Sequence, residues 1–193
     1  RTNAFLRRDE EAREKINYFI EADYQGDVEV TDILQVLRDQ VGFDKIREAV
    51  KKPLTGLRVA SYYGCMVLRP PQEVAYDDPE APHALDDLMA ALDAEPVDWP
   101  HKNECCGAYL AIKSEEVTRE MVHTILASAQ LNGAQVVVTN CPVCQFNLDR
   151  QQMRMTEQYA SFQAIPVLYF TQLLGLALGL DGSDFGWEKH YID

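Results

Sequence analysis

The residues of this chain best suited to chemistry are its five cysteines, which fall into three groups. Cys65 stands alone, Cys105 and Cys106 are adjacent after 39 intervening residues, and Cys141 and Cys144 form a CxxC pair after another 34. Thiolates select zinc or iron–sulfur clusters over hard cations. A CxxC pair at a helix start turns both sulfurs toward one metal, whereas adjacent cysteines better suit a multi-iron cluster or a sulfur that bridges two irons. Iron–sulfur therefore accounts for all five cysteines, and tetrahedral zinc accounts for four.

The elements that must position these cysteines alternate between strand and helix from residue 57 onward. Strands are predicted at residues 57–62, 96–99, 135–139 and 165–170, and helices at 82–94, after the N-cap Ser114, from Pro142 and at 171–178. This alternation predicts an α/β fold, with a parallel sheet and flanking helices. Every cysteine group follows a predicted strand. We therefore expect the cysteine loops to converge at the carboxyl edge of the sheet, where open α/β sheets bind ligands.

The first 56 residues have a different pattern of predicted elements. The pattern predicts a helix over 8–24, a short strand Val28–Val30, two short helices and a linker over 51–56. A half-repeat accompanies it, because residues 28–37 align without gaps on residues 165–174. The helix starts Asn3–Arg8 and Gln145–Arg150 are also similar. We therefore predict that 1–56 is the tail of a preceding homologous domain plus a linker, and that 57–193 is a complete domain.

Composition excludes several classes of protein. The formal net charge of the 193 residues is −13, which argues against nucleic acid and acidic membrane lipid as partners. The longest apolar run near the C-terminus, residues 173–180, is far shorter than the roughly 20 residues that span a bilayer. Neither GxGxxG nor GxxxxGK occurs, so we expect no direct binding of flavin or nucleotide. The odd number of cysteines favours a reduced, cytoplasmic setting. The chain begins Arg-Thr-Asn without an initiator Met, which suggests processing or a start within a longer polypeptide.

Four sequence segments carry a resemblance to a known family. They are Tyr62-Tyr63-Gly64-Cys65 with Leu68-Arg69-Pro70, Glu104-Cys105-Cys106-Gly107, Asn140-Cys141-Pro142-Val143-Cys144, and the ending Trp187-Glu188-Lys189-His190-Tyr191-Ile192-Asp193. Together they resemble the cysteine-rich CCG domain of the B-type subunit of heterodisulfide reductase. The resemblance covers residues 57–193, and residues 1–56 look like the end of a first, truncated CCG domain. Two features depart from the pattern: the spacer of 34 residues is short, and Ala108 stands where a second glycine is frequent.

The resemblance implies a cofactor, a reaction and partners. The five cysteines Cys65, Cys105, Cys106, Cys141 and Cys144 would ligate a noncubane [4Fe–4S] cluster, through which an oxidoreductase reduces a disulfide or oxidises thiols. Electrons would come from a ferredoxin-like C subunit, and flavin would belong to an A subunit of the same complex. The substrate would be a small-molecule disulfide or its thiols.

Other interpretations stay open at the level of sequence. Cys141-Pro142-Val143-Cys144 before a helix is also typical of a thioredoxin-like thiol–disulfide oxidoreductase. A structural zinc site and a non-catalytic electron-transfer subunit are further alternatives.

Four residues near the cysteine loops are candidates for a second layer around the site or for substrate contact. His101 can donate a hydrogen bond to a sulfur or a product thiolate, or serve only the surface. Arg69 and Lys102 can meet an anionic substrate or balance thiolate charge. Tyr63, in the pair before Gly64, can hydrogen-bond to sulfide or belong to the core.

Overall fold

Short apolar runs form a four-stranded, fully parallel sheet in the computed structural model, which describes residues 2–72, 74 and 77–192. The strands are β1 (Arg58–Tyr62), β2 (Glu95–Pro96), β3 (Val136–Thr139) and β4 (Val167–Tyr169). Their order across the sheet is β2-β1-β3-β4. The register pairs Val59 with Val136 and Val137 with Val167. The predicted α/β fold is confirmed.

Eight α-helices surround or extend from this sheet in the described part of the chain. They are α1 (Thr2–Arg8), α2 (Glu10–Ile20), α3 (Ile33–Val36), α4 (Phe43–Ala49), α5 (Ala84–Ala91), α6 (Glu115–Leu131), α7 (Pro142–Gln158) and α8 (Phe170–Ala177). A π-helical turn, Leu37–Val41, continues α3, and 3-10 turns occur at Ala108–Leu110, Gly182–Phe185 and Trp187–Lys189. None of the helices in the described ranges is both long and apolar enough to cross a membrane.

The strands divide the core into two halves because successive side chains point to opposite faces of a sheet. Val59 and Val138 face one cluster, which contains residues of α3, α4, α5 and α8. Ala60 and Val137 face the other cluster, which contains residues of α6 and α7. The sheet is therefore the middle of three layers, and its carboxyl edge opens between the two helical layers.

The N-terminal segment reaches the core through α3 and α4. Leu34 is fully buried and Ile46 nearly so, both within the first cluster. The N–H groups of Lys51 and Lys52 donate to the carbonyl of Ala177, at 2.8 and 2.9 Å. In contrast, α2 buries no residue. The segment is thus anchored at its C-terminal end, while α1 and α2 lie against each other.

Two N-terminal predictions are wrong in detail. The predicted helix over 8–24 is divided at Asp9, whose carboxylate caps α2 by accepting a hydrogen bond from the Ala12 N–H at 2.9 Å. The predicted strand Val28–Val30 forms no strand and is not paired in the sheet. Side chains of α1 supply its partners instead, because Asn3 and Arg7 donate to the carbonyl of Val28. A strand needs a neighbouring strand, and none lies beside this segment in the described residues.

Candidate functional site

The three cysteine-bearing loops meet at the carboxyl edge of the sheet. The strand order reverses between β1 and β3, and this reversal is where open α/β sheets form a binding crevice. Cys65 follows β1, and Cys141 follows β3 as the N-cap of α7. Cys105 and Cys106 come from the loop between β2 and α6. The crevice is therefore lined by thiols from three separate segments.

Short contacts join the cysteine loops to one another. The sulfurs of Cys106 and Cys144 lie 3.6 Å apart, although the two residues are 38 positions apart in sequence. The backbone of Gly64 packs against the Cys144 sulfur. A Cβ atom added at Gly64 would lie 3.0 Å from that sulfur. Gly64 also has a φ of 65°, which disfavours any other residue. Backbone N–H groups of Gly107 and Cys144 point at the sulfurs of Cys105 and Cys141, each at 3.4 Å.

The thiols differ in acidity because they share hydrogen bonds. A bond from the Cys144 thiol lowers the pKa of Cys141 to about 6, helped by the N–H groups of Cys144 and Val143. Hydrogen bonding between the Cys106 and Cys144 thiols, whose sulfurs lie 3.6 Å apart, lowers the pKa of Cys106 to about 7. The same two bonds raise the pKa of Cys144. Burial raises the pKa of Cys65 to about 11, and a hydrogen bond with Cys105 adds to the rise.

Tyr62 is a buried side chain that contacts the loop of the adjacent cysteines. Its side chain is fully buried, and its hydroxyl donates to the carbonyl of Glu104 at 2.6 Å, immediately before the adjacent cysteines. Burial, and then the charge of Cys106, raises the pKa of this phenol. Tyr62 thus ties the end of β1 to the loop of Cys105 and remains a neutral donor.

Two buried polar side chains hold the loop of adjacent cysteines from the other side. Asn147 on α7 donates to the carbonyl of Cys106 at 2.9 Å. The hydroxyl of Thr118 on α6 donates to the carbonyl of Gly107 at 3.3 Å. Gly107 has a φ of 75°, which allows the chain to turn directly after the cysteines. Ala108, the departure from the family pattern, starts the 3-10 turn and packs against the second cluster of the core.

A carboxylate from the N-terminal segment reaches the edge of the site. Asp32 caps α3 by accepting from the Leu34 N–H at 2.8 Å, and it hydrogen-bonds to the side chain of Asn140. Burial raises its pKa, and its charge acts on the neighbouring Cys141. The hydroxyl of Tyr169 donates to the Asn140 carbonyl at 3.0 Å. The place of Asp32 beside Cys141 is visible only in the fold.

Comparisons with known proteins agree with this geometry. Residues 59–149, which include all five cysteines, match the CCG cysteine-rich domain family. The whole chain is 35% identical to the 8-methylmenaquinol:fumarate reductase membrane anchor subunit of Wolinella succinogenes and covers 68% of it. Over 88% of the chain, it is 36% identical to the B-type subunit of the ferredoxin/F(420)H(2)-dependent CoB-CoM heterodisulfide reductase of Methanosarcina acetivorans, covering 57% of that protein. A B-type subunit from Methanosarcina mazei is 33% identical over the same share.

The chain belongs to the family of heterodisulfide reductase B-type subunits. It spans only 57% of the length of both Methanosarcina proteins. A solved structure of a hypothetical protein from Helicobacter pylori has the same fold, with a TM-score of 0.73 over 98% of this chain and 34% of its own. At 14% identity, that likeness concerns the fold alone.

Two of the four further candidates predicted from the sequence are held in place by backbone groups. The hydroxyl of Tyr63 accepts from the N–H of Leu85 at 2.9 Å, at the start of α5. Arg69 donates to the carbonyl of Asn103 at 3.1 Å. The tyrosine that borders the cysteine loops is therefore Tyr62, whereas Tyr63 points into the opposite half of the core.

The other two candidates bind polar side chains. The Nδ1 atom of His101 lies 2.8 Å from the hydroxyl oxygen of Ser128 on α6. The ammonium of Lys102 lies 3.2 Å from a carboxylate oxygen of Asp86 on α5. Both residues brace the loop that leads to Cys105 against flanking helices, and a role toward substrate stays a prediction for each.

The donor set of this heterodisulfide reductase relative suits an iron–sulfur cluster. Five thiols converge from three loops, and all five are free. A tetrahedral zinc ion needs four sulfurs about 2.3 Å from one point. Such an ion would leave one of the five cysteines without a role, whereas a cluster of several irons can use them all. The CCG cysteine-rich domain and the heterodisulfide reductase relatives support the same cofactor class.

Proposed function

We propose that this chain forms the disulfide-reducing part of a heterodisulfide reductase B-type subunit. Five cysteines, Cys65, Cys105, Cys106, Cys141 and Cys144, would hold one noncubane [4Fe–4S] cluster. The observation that supports this most is the convergence of all five thiols at the strand-order reversal, where adjacent Cys105 and Cys106 share one crevice with the CxxC pair. The reaction is RSSR + 2e⁻ + 2H⁺ → 2RSH, or its reverse.

The residues of this chain would prepare the crevice for that chemistry. When bound, the cluster supplies electrons to sulfur. Tyr62, Asn147 and Thr118 hold the cysteine loops rigid by their hydrogen bonds to backbone carbonyls. Asp32 is half-buried with a raised pKa beside Cys141 and can hold a proton at the edge of the site. Protons are needed there because each thiolate product takes one up.

The proposal extends to partners and to the N-terminal segment. A ferredoxin-like C subunit would deliver electrons, a flavin-containing A subunit would complete the complex, and the assembly would be cytoplasmic. Residues 1–56 would be the tail of a preceding CCG-like unit, as the half-repeat indicates. The exposed apolar side chains of α2, among them Tyr18 and Phe19, are consistent with a surface that such a unit covers.

A second candidate function is electron relay without thiol chemistry. It is favoured by the 35% identity over the whole chain to a subunit of a fumarate reductase. The thioredoxin-like alternative also keeps one supporting feature, the lowered pKa of Cys141 at the start of α7. That alternative leaves Cys65 and the adjacent cysteines without a role.

Electron paramagnetic resonance of the protein with thiols separates these functions. The anaerobically purified, mildly oxidised protein would be mixed with coenzyme M, coenzyme B or glutathione. We expect at least one thiol to change the cluster signal, because a product thiol would occupy the crevice that holds the proposed cluster. An unchanged signal with all three, together with normal reduction by a protein electron carrier, would support the relay function. Thiol–disulfide turnover by metal-free protein would support the thioredoxin-like function.

A further inference from the structure

A small polar pocket lies at the carboxyl end of β4. Its volume is about 350 Å³, which is within the range of small-molecule sites. Three parts of the fold form its wall: the first turn of α7, the junction of β4 with α8, and the two 3-10 turns near the C-terminus. We call this cavity the β4 pocket.

Two residues that line the β4 pocket connect it to the CxxC pair. The hydroxyl of Tyr169 donates to the carbonyl of Asn140 at 3.0 Å, directly before Cys141. The N–H of Gln145 donates to the carbonyl of Cys141 at 2.9 Å. Burial, and then the charges of Asp32 and Cys141, raise the pKa of Tyr169, as expected for groups that lie close together. A molecule bound in the pocket therefore lies beside the start of α7.

Gln172 fixes the wall of the pocket through three contacts, and only 9% of this residue is exposed. Its side-chain oxygen accepts from the N–H of Tyr169 at 2.9 Å. Its Nε2 atom donates to the carbonyl of Phe185 at 2.8 Å and lies 2.9 Å from the Nε2 atom of His190. One buried amide thus joins the end of β4 to both C-terminal turns, which gives the pocket a defined shape.

The C-terminal side of the pocket is also held by α7. Asp149 on α7 is only 1% exposed, and its carboxylate accepts from the N–H groups of Tyr191 and Ile192 at 2.9 and 3.1 Å. The Nδ1 atom of His190 lies 3.9 Å from the same carboxylate. The turn that carries Lys189 is therefore fixed between α7 and α8.

The pocket presents one positive and one negative side chain, Lys189 and Asp184. Both are exposed, and neither forms an ion pair with any residue that the structure describes. The Lys189 side chain lies over the backbone of Gly186, where an added Cβ atom would be 3.9 Å from the ammonium nitrogen. A ligand that carries only a carboxylate meets a like charge at Asp184, and an amine meets one at Lys189. A ligand with both groups can place each beside its opposite charge.

We infer that the β4 pocket binds the amino-acid end, an ammonium together with a carboxylate, of a small-molecule thiol or disulfide. Lys189 receives the carboxylate and Asp184 the ammonium, and the sulfur end extends past Tyr169 toward the cysteine loops. The inference rests on the proposed function and names its substrate class, which is thiols derived from cysteine or a related amino acid. Binding in the pocket makes or breaks no bond and transfers no electron.

Three thioethers of similar size test the inference by isothermal titration calorimetry of the anaerobically purified protein. S-methyl-L-cysteine carries both charges, methylthiopropionate lacks the ammonium, and methylthioethylamine lacks the carboxylate. None of them has a thiol, so their binding does not depend on disulfide chemistry. We expect S-methyl-L-cysteine to bind about fivefold more tightly than either of the others, as one exposed charge pair allows. Equal affinities for the three compounds would overturn the inference.

Two single variants show which residue meets which charge. Lys189→Gln should weaken binding of S-methyl-L-cysteine and methylthiopropionate about fivefold, but not that of methylthioethylamine. Asp184→Asn should weaken binding of S-methyl-L-cysteine and methylthioethylamine by the same factor, but not that of methylthiopropionate. Lys45→Gln and Asp27→Asn change exposed residues outside the pocket, and these control variants should bind all three compounds as the wild type does. Equal weakening of all three compounds in both pocket variants would overturn the charge assignment.

The corresponding thiols separate this inference from the proposed function. We expect L-cysteine to change the electron paramagnetic resonance signal at a lower concentration than mercaptopropionate or cysteamine, and Lys189→Gln to remove this advantage. If thiols change the signal while S-methyl-L-cysteine does not bind, the assignment of the β4 pocket is wrong and the disulfide chemistry stands. If the thioethers bind in the expected order while no thiol changes the signal, the disulfide chemistry is wrong, and so is the assignment of a thiol to the pocket.

Discussion

Several kinds of contact hold the cysteines in place at the site. Cys106 and Cys144 are buried with their sulfurs 3.6 Å apart. Cys65 follows the tight turn at Gly64, and Cys141 caps α7. These constraints come from the backbone and from buried neighbours, so a serine at any of the five positions would keep the local structure and lose the soft sulfur donor.

Single Cys→Ser variants should therefore lose iron at every one of the five positions. We expect Cys105→Ser and Cys106→Ser to lower the iron content as strongly as Cys141→Ser and Cys144→Ser, by half or more. Val143→Ser, an exposed position inside the CxxC pair, is the control and should keep its iron. Iron and acid-labile sulfide assays on anaerobically purified protein measure the effect. A fully loaded Cys106→Ser variant would contradict the five-ligand assignment.

Asp32 should set part of the reduction potential of the site. Because the reduced cluster carries one more negative charge, the Asp32 carboxylate near Cys141 disfavours reduction. Asp32→Asn keeps a side chain that can cap α3. Because it removes one negative charge close to Cys141, it should raise the midpoint potential of the site, on the order of tens of millivolts.

The pH dependence of the potential provides a second measure of the same residue. Burial raises the pKa of Asp32, so its charge appears only as the pH rises through that raised value. The wild-type potential should fall over this interval, and the fall should be smaller in Asp32→Asn. Redox titrations followed by electron paramagnetic resonance at several pH values give both quantities. Identical pH profiles for the two proteins would show that Asp32 does not act on the cluster.

At the scale of elements, the parallel strands do most to assemble the site. Each strand ends at the same edge of the sheet, so cysteines that are distant in sequence meet without any long-range sequence signal. This convergence could be predicted because strand–helix alternation is a local pattern. The boundaries of short elements could not: β2 has two residues where the pattern indicated four. Phe170 starts α8 instead of ending β4.

The N-terminal segment shows why tertiary partners escape sequence analysis. Val28–Val30 has a strand pattern but no neighbouring strand in the described residues, so the carbonyl of Val28 binds side chains of α1. The places of Asp32, Asn147 and Tyr62 were equally invisible, since each bridges segments far apart in the chain. Buried polar contacts between distant segments depend on how the chain packs, and the spacing of residues in the sequence does not predict them.

The two halves of the N-terminal segment should differ sharply in their effect on stability. Leu34 on α3 is fully buried, so Leu34→Ala should lower the free energy of unfolding by about 2–5 kcal/mol. Ile16 on α2 is 42% exposed, and Ile16→Ala should cost less than about 1 kcal/mol. Thermal unfolding followed by circular dichroism compares the two variants. Equal losses would mean that α2 is packed as firmly as α3 in solution.

At the scale of the whole molecule, the protein combines a strongly acidic net charge with a thiol-lined crevice. The net charge of −13 repels polyanions. The crevice lies at the reversal of the strand order. Family membership, fold and cysteine convergence all point to redox chemistry at this one edge.

The most direct test is the metal and sulfide content of anaerobically purified protein, with a spectrum after mild oxidation. The account predicts about four irons and four acid-labile sulfides per chain, no stoichiometric zinc, and an electron paramagnetic resonance signal unlike that of a cubane cluster. One zinc per chain without sulfide would contradict it and leave a structural metal site. Protein free of metal, with Cys141 reactive toward disulfides, would contradict it in favour of thioredoxin-like chemistry.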